Sequence, residues 1–256
     1  MKRLPCFRSL LKDFEVQDFR ADDAKMEAKM TEVIMKDIYH GSVNMVEKPL
    51  FGVGKPHNDY GRGFYCTEHI ELAKEWACFS GRDGYANHYQ LNMTGLSVLN
   101  LNGPEYNILH WLTVLLENRK FNVADGMPRR AKAYLLEHFK VDYKQYDIIV
   151  GYRANDSYFS YAGDFVNGTL SLSDLSEAMR LGKLGEQVVL KSKKAFEALQ
   201  FVEAIKAPSE EYFAKYKLRD EEAREKYRQI ASKPMAENEI YVIDIIRNNW
   251  KNGQSL

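Results

Sequence analysis

The sequence lacks the features that define several large classes of proteins. No apolar run approaches the roughly 18 residues that a membrane-spanning helix needs. Neither sign of charge is in excess, since 36 Lys and Arg residues balance 36 Asp and Glu residues. A domain dedicated to nucleic-acid binding would usually be basic. These absences argue against a membrane protein and against an extended nucleic-acid-binding surface.

Cysteine is also scarce. The chain has three, Cys6, Cys66 and Cys78, with no Cys-x-x-Cys pair, so neither a zinc site nor a disulfide framework is indicated. The first residues carry basic side chains but no long apolar core behind them, which is unlike a secretory signal. We therefore expect reduced thiols and a cytoplasmic protein, with no metal.

Familiar catalytic motifs are missing as well. There is no Gly-x-Ser-x-Gly nucleophile elbow. The run "GVGK" at 52–55 is followed by Pro56, where a phosphate-binding loop needs a hydroxyl residue. Gly61 and Gly63 precede a predicted strand, whereas a dinucleotide fingerprint places its glycines before a helix. The six histidines are scattered and form no metal pair on one helix face.

What the chain does have is enough apolar sequence for a folded core, at 45% hydrophobic residues. Short predicted strands alternate irregularly with helices, which indicates an α+β fold rather than a doubly wound sheet. We predict a helical N-terminal extension over residues 1–36, an α+β domain over 37–207 and a helical C-terminal extension over 208–256.

Periodicity and capping signals place the elements. Thr67 is predicted to cap a helix, and Ser192 is predicted to cap another over 193–205. Strands are predicted at 37–42, 63–67, 86–103 as a pair, 146–152 and 186–192; further helices are predicted at 106–121, 129–142, 171–185 and 210–231.

Polar residues fall at the ends of three predicted strands. His40 and Gly41 end the first strand, Tyr65 ends the second, and the pair at 186–187 begins the last. Polar groups at strand ends, with aromatic residues beside them, suit a flat polar ligand. Taken alone, the loop residues before the second strand, Lys55, Asp59 and Arg62, are expected to be solvated.

The segments "YHGS", "YGRGFYCTE" and "EQVVLKS" occur in this order. The order resembles the ADP-ribosyltransferase superfamily, in its diphtheria-toxin and poly(ADP-ribose)-polymerase branch. With "YDIIVGYRAND" at 146–156, the chain is most similar to a bacterial family of unknown function within that superfamily. The resemblance covers residues 37–205.

The resemblance implies two small, packed, mainly antiparallel sheets with flanking helices and a central cleft for NAD. It implies a mono-ADP-ribosyltransferase that uses NAD as its substrate and needs no metal. His40 would bond a ribose hydroxyl, and the backbone of Gly41 would hold the nicotinamide amide. Tyr65 and Trp76 would form the walls of the nicotinamide slot. Ser42, Arg62 and Gly63 complete the implied NAD-binding set.

The third motif supplies Glu186 and Gln187 in succession. Neighbours on a strand face opposite sides, so only one of them can reach the cleft. Both are candidate catalytic residues beside His40 and Tyr65, and the resemblance places Gln187 in the cleft. An uncharged Gln there argues against polymer formation, whereas Glu186 in the cleft would strengthen the transferase interpretation.

Three other interpretations stay open. The chain could be a non-catalytic NAD or ADP-ribose binding module, or an NAD glycohydrolase. It could instead be an interaction protein whose helical ends, 1–35 and 208–256, bind a partner. If it is a toxin-like or conflict-system enzyme, that partner could be an antitoxin. The acceptor of ADP-ribose, whether protein, nucleic acid or small molecule, is not encoded in any motif.

Overall fold

The structure is a computed structural model that describes residues 33–154, 156–181 and 185–253. In these residues the chain forms two small sheets and eight helices, which confirms the predicted α+β class. The strands are β1 (Met35–Ser42), β2 (Phe64–Cys66), β3 (Gly84–Asn92), β4 (Val98–Asn100), β5 (Ile148–Tyr152), β6 (Glu186–Leu190) and β7 (Leu199–Ala207). The helices are α1 (Ile70–Ala77), α2 (Ile108–Asn118), α3 (Met127–His138), α4 (Asp156–Val166), α5 (Leu172–Ala178), α6 (Lys193–Glu197), α7 (Ser209–Ala231) and α8 (Val242–Arg247).

The first sheet has the order β1-β3-β7, and both pairings are antiparallel. On β1, His40 lies opposite Asn87 of β3. The Asn87 side chain donates to the carbonyl of His40 at 3.1 Å, which ties the end of β1 to its neighbour. The strand that carries the first motif is therefore firmly held along one edge.

The second sheet has the order β2-β6-β5-β4, in which only β4 and β5 run parallel. Its central strands are apolar runs, and the side chains of Ile148, Ile149 and Val188–Leu190 are buried. Such runs are typical of strands covered on both faces. Gln187 at the start of β6 lies opposite Gly151 of β5.

The two sheets meet at one bridge between Tyr39 of β1 and Thr67, just after β2. The Tyr39 amide donates to the Thr67 carbonyl at 2.8 Å, and the Thr67 amide donates to the Tyr39 carbonyl at 2.9 Å. The bridge is isolated, so β1 and β2 separate beyond it. This separation opens a space beside His40, Gly41 and Tyr65.

Helix α1 covers the end of β1 and begins later than predicted. Its N-cap is His69, and Thr67 instead accepts a hydrogen bond from the His69 amide at 3.2 Å. Thr67 is thus engaged both in the bridge between the sheets and in the turn before the helix. The predicted cap at Thr67 is wrong because the sheet contact takes that residue out of the helix.

The predicted helix over 193–205 is only partly present. Ser192 does cap α6, since its hydroxyl accepts a hydrogen bond from the Ala195 amide at 3.1 Å. The helix ends at Glu197, and β7 follows from Leu199, paired along β3. The backbone hydrogen bonds offered by the open edge of β3 outweigh a local helical pattern.

The C-terminal helices pack into the main core. Ala223 and Ile230 of α7 and Val242 and Ile245 of α8 belong to the same buried cluster as Trp111 of α2. The segment 208–256, predicted as an extension, therefore contributes apolar side chains to the centre of the molecule.

The start of the fold also differs from the predicted boundary. Strand β1 begins at Met35, so two residues assigned to the N-terminal extension belong to a sheet. The helices predicted within residues 1–35 fall almost wholly outside the described residues. In the part of the chain that is described, no helix is long and apolar enough to cross a membrane.

Candidate functional site

A cavity of about 980 Å³ lies where β1 and β2 separate. Ligand sites commonly have volumes of about 300–1,000 Å³. Six of the residues predicted to form the NAD site line it: His40, Gly41, Ser42, Tyr65, Trp76 and Gln187. They come from β1, β2, α1 and β6, so both sheets and a helix contribute to its wall.

His40 is held in a defined protonation state. Its Nδ1 lies 2.7 Å from the carbonyl oxygen of Tyr65, and because a carbonyl only accepts, Nδ1 carries the proton. The ring packs on Phe64 with centroids 4.3 Å apart. Burial lowers the pKa of His40, so the neutral imidazole is favoured. Its Nε2 is therefore a hydrogen-bond acceptor at the cavity.

Gly41 presents its backbone to the same cavity. Tyr39, two residues earlier, directs its N–H and C=O away from β3 and toward Thr67. Alternate residues of an antiparallel strand direct these groups to the same side, so those of Gly41 also point away from β3. They lie beyond the bridge, where the sheets have separated. A donor and an acceptor of the main chain are thus available side by side.

The absence of a side chain at Gly41 has a packing reason. A Cβ there would collide with the carbonyl oxygen of Ala73 and lie 2.9 Å from the Cβ of Trp76. Helix α1 therefore approaches β1 so closely that only glycine fits. The space that a side chain would need is therefore filled by α1.

Tyr65 and Ser42 line the cavity with their polar groups already engaged. The Tyr65 hydroxyl donates to the carbonyl of Gly61 at 2.5 Å and accepts from the Tyr60 amide at 3.1 Å. The Ser42 hydroxyl donates to the carbonyl of Asn44 at 2.6 Å. Both residues shape the wall, and the ring of Tyr65 offers an aromatic surface.

Trp76 lines the cavity, and a cation covers one face of its ring. The guanidinium carbon of Arg153 lies 4.0 Å from the ring centroid. Burial lowers the pKa of Arg153 to about 10, so the group is still charged at neutral pH. That face of Trp76 is closed to any ligand until Arg153 moves.

Gln187, and not Glu186, faces the cavity. The Gln187 side chain is 4% exposed, and its Nε2 donates to Asp59 at 3.1 Å. Glu186 lies on the opposite face of β6, where it is exposed and accepts a hydrogen bond from Asn102 at 2.6 Å. Glu186 therefore does not line the cavity.

Arg62 and Gly63, also predicted to bind NAD, are not among the lining residues. Arg62 is exposed, and its guanidinium donates to the carbonyl of Gly52 at 3.4 Å. A Cβ at Gly63 would lie 2.7 Å from the Val189 side chain and 2.8 Å from the carbonyl of Leu190. Gly63 therefore allows close packing of the chain on β6.

Several lining residues were not among the site residues predicted from the sequence. Asp59 was expected in solvent, but only 4% of its surface is exposed. Its carboxylate accepts a hydrogen bond from Arg119 at 2.8 Å and another from the Ala154 amide at 2.9 Å. Arg119 ends α2 and Arg153 follows β5, so their positions depend on the tertiary fold. The other lining residues outside the motifs include Lys55, His57, Tyr216 and Arg224.

Three polar atoms of lining residues are buried with no hydrogen-bond partner among the described residues. They are Nε1 of Trp76, Nη1 of Arg153 and Oε1 of Gln187. An unpaired buried polar atom is costly, and its presence calls for a ligand or water as partner. Two donors and one acceptor at one cavity are what a polar ligand would satisfy.

The cavity is cationic. Four lining side chains, Lys55, Arg119, Arg153 and Arg224, carry positive charge, and Asp59 is the one carboxylate among the lining residues. Arg119 is paired with Asp59, and Arg224 bonds Asp220 at 2.8 Å. The described residues contain no group of three or more His, Cys, Asp or Glu side chains that could hold a metal ion. The site suits a flat polar ligand that carries negative charge.

Comparison with known proteins gives one match. Residues 36–201 match a protein family described as "Protein of unknown function (DUF3990)". No curated protein and no solved structure matches the chain. The matched span includes all the lining residues discussed above except Tyr216 and Arg224, which lie on α7.

Proposed function

The chain belongs to the DUF3990 family, and we propose that it is an NAD-dependent mono-ADP-ribosyltransferase. The observation that carries the proposal is convergence: His40, Gly41, Tyr65, Trp76 and Gln187 line one cavity although they come from three separate sequence motifs. Their order in the sequence resembles that superfamily, and their grouping in space is what a shared ligand requires.

The chemistry of the cavity suits the parts of NAD. The cationic side chains, Arg153 above all, favour the diphosphate, because a guanidinium pairs well with phosphate oxygens. The Nε2 acceptor of His40 suits a ribose hydroxyl. The adjacent N–H and C=O of Gly41 suit the carboxamide of nicotinamide, which offers one acceptor and one donor.

The reaction breaks the bond between C1′ of ribose and the nitrogen of nicotinamide. Both bonding electrons leave with the nitrogen, so the ring departs neutral and positive charge develops on the ribose. A nucleophile on the acceptor then bonds C1′ and loses its proton to a base or to solvent. Groups that are preorganised to stabilise the developing charge give the largest catalytic effect.

Gln187 would accept a hydrogen bond from the ribose through Oε1, which has no partner among the described residues. This bond orients the sugar but supplies no formal negative charge. Extension of an ADP-ribose chain is therefore not expected, and transfer of a single unit is the proposed outcome.

The test is release of nicotinamide from NAD in a cell lysate that supplies acceptors, measured chromatographically with the wild type, His40→Ala and His69→Ala and with the lysate alone as the blank. His69 is exposed and does not line the cavity, so it is the matched control. We expect His40→Ala to lower the rate at least about 10-fold, because a lost hydrogen bond costs about 1–3 kcal/mol and about 1.4 kcal/mol is tenfold in rate, and His69→Ala to leave it unchanged. The proposal would be contradicted if the wild type released no nicotinamide, or if the wild type and His40→Ala released it at equal rates.

A second candidate is a non-catalytic NAD or ADP-ribose binding module, favoured by the uncharged side chain at Gln187. Calorimetric titration with NAD separates the two. Saturable binding that is lost in His40→Ala, with no nicotinamide released, would support the binding module. Release of nicotinamide together with free ADP-ribose, in the presence of a cell lysate, would support an NAD glycohydrolase.

A further inference from the structure

Asp59 is a buried carboxylate that the proposed reaction has so far left without a role. It lies in the loop between β1 and β2, and 4% of the residue is exposed. Its Oδ1 accepts from Arg119 at 2.8 Å, and its Oδ2 accepts from the Ala154 amide at 2.9 Å and from Gln187 at 3.1 Å. Three elements of the cavity wall therefore meet at one carboxylate.

The placement of this charge is costly. Burial raises the pKa of Asp59, and the charge of Arg119 with the three hydrogen bonds opposes that rise. An ion pair with one side in the interior is weak evidence for added stability, because removing the charges from water offsets much of their attraction. Stabilisation of the loop alone therefore does not explain why a carboxylate is buried here.

The contact with Gln187 provides that explanation. A carboxylate can only accept, so the Gln187 group that faces Asp59 is the NH₂, and Oε1 is left to face elsewhere. Oε1 has no partner among the described residues. A negative group bonded to the NH₂ also increases electron density on the amide oxygen, because chains of hydrogen bonds polarise one another.

We propose that Asp59 is a positioning residue for NAD cleavage: it fixes the Gln187 amide with Oε1 toward the ribose and places a carboxylate, paired through its other oxygen with Arg119, one hydrogen bond behind it. The Asp59–Gln187 pair then does together what a single carboxylate could do alone. As the C1′–N bond breaks, this charge stabilises the cationic ribose, while the bonding electrons leave with nicotinamide. The inference rests on the proposed function.

The test compares nicotinamide release by the wild type, Asp59→Asn and the exchange variant D59N/Q187E. The exchange variant moves the carboxylate to position 187 and keeps one carboxylate and one amide in contact. We expect Asp59→Asn to lower the rate at saturating NAD about 100-fold, the effect of losing one preorganised electrostatic group. We expect KM to stay within about twofold, and the exchange variant to recover at least about 10-fold of the lost rate.

Asp147→Asn is the matched control. Asp147 is a carboxylate at the start of β5 that bonds Ser97 and Ser192 and does not line the cavity. Its release rate is expected to equal that of the wild type. Melting temperatures of all variants show which of them fold, and calorimetric titration with NAD separates binding from turnover.

Each outcome decides the proposal. If the wild type releases no nicotinamide, the proposed function fails and this role fails with it. If the wild type is active and Asp59→Asn keeps its rate, the role of Asp59 alone is wrong. If Asp59→Asn does not fold, the folded exchange variant decides. Its rate is then compared with that of Gln187→Ala, which removes the amide, and an equally low rate would overturn the role. If neither variant folds, Asp59 is a structural residue and the proposal is overturned.

Discussion

At the scale of single residues, Gly41 determines how close helix α1 lies to strand β1. The carbonyl of Ala73 and the Cβ of Trp76 occupy the space that a side chain at Gly41 would need. Helix α1 can lie this close to β1 because residue 41 has a hydrogen atom where alanine would have a methyl group. The same contact sets the position of Trp76 at the cavity.

We predict that Gly41→Ala lowers the free energy of unfolding by about 2 kcal/mol, the usual cost of overpacking. The matched control is Gly163→Ala in α4, where a Cβ would meet only the ring of Phe121 at an ordinary distance of 3.6 Å. That change is expected to be neutral or stabilising, since alanine favours a helix over glycine by about 1 kcal/mol. Urea denaturation measures both, and equal effects would contradict the packing argument.

The residue scale also shows where the sequence is informative. Strand alternation predicts that only one of Glu186 and Gln187 faces the cavity, and the structure assigns Gln187. The register of β6 against β5, where Gln187 lies opposite Gly151, decides which one. Register depends on contacts between distant segments.

At the scale of elements, α1 and α7 are joined by an ion pair that is buried on one side. Glu75 of α1 is 3% exposed, and the guanidinium of Arg219 on α7 reaches both of its oxygens, at 2.8 and 2.9 Å. Two parallel bonds make this a strongly oriented contact. Because α1 carries Trp76 and α7 carries Tyr216 and Arg224, the ion pair holds two walls of the cavity together.

We predict that Arg219→Met destabilises the fold by about 3 kcal/mol, because it leaves the Glu75 carboxylate buried and unpaired. Arg228→Met is the control on the same helix. Arg228 pairs with Glu225 at the surface, where both side chains are largely exposed, and its loss is expected to cost less than about 0.5 kcal/mol. Thermal or urea unfolding followed by circular dichroism measures the difference. A small effect of Arg219→Met would show that the contact is dispensable.

Elements differ in how well the sequence predicts them. The charged helix α7 and the apolar strand β5 follow the predicted segments closely, because their patterns are long or uniform. Strand β7 does not, since "FEALQFVEAI" has a helical spacing of apolar residues. It is a strand because β3 offers it a partner edge, which no local pattern records.

At the scale of the whole molecule, the core extends beyond residues 36–201, the segment that matches the family. Ile230, Val242 and Ile245, all C-terminal to residue 207, are buried in the main cluster. Each buried side chain of this size stabilises the fold by about 1.5–3 kcal/mol. Their sum is comparable to the whole stability of a typical domain, about 5–15 kcal/mol.

We therefore predict that a chain ending at Ala207 does not fold. Near-ultraviolet circular dichroism and a thermal melt would show no cooperative transition, unlike the full chain. In the full chain, Ile245→Ala is expected to cost about 3 kcal/mol, whereas Leu218→Ala on α7, which removes a side chain that is 59% exposed, should cost little. A cooperative melt of the shortened chain would contradict this view of the core.

The whole-molecule scale is where the sequence was least informative about the site. Asp59, Arg119 and Arg153 come from a loop, a helix end and a strand end, and 60 residues separate the first two. Asp59 and Arg119 lie in no quoted motif, and Arg153 lies in the segment "YDIIVGYRAND" without any feature that marks its side chain. The motif residues could be singled out because they lie in short, recognisable segments at strand ends, whereas these three come to one cavity only when the two sheets and α2 pack.

The contact between Arg153 and Trp76 has a consequence for the redox state of the ligand. The ring already holds a cation at 4.0 Å, so stacking on that face is an exchange and not a simple addition. The oxidised nicotinamide ring is itself a cation, so its attraction to the Trp76 ring replaces the cation–π attraction that is lost when Arg153 moves away. The reduced ring is uncharged and does not. If the proposed function holds, this one contact would select NAD over NADH.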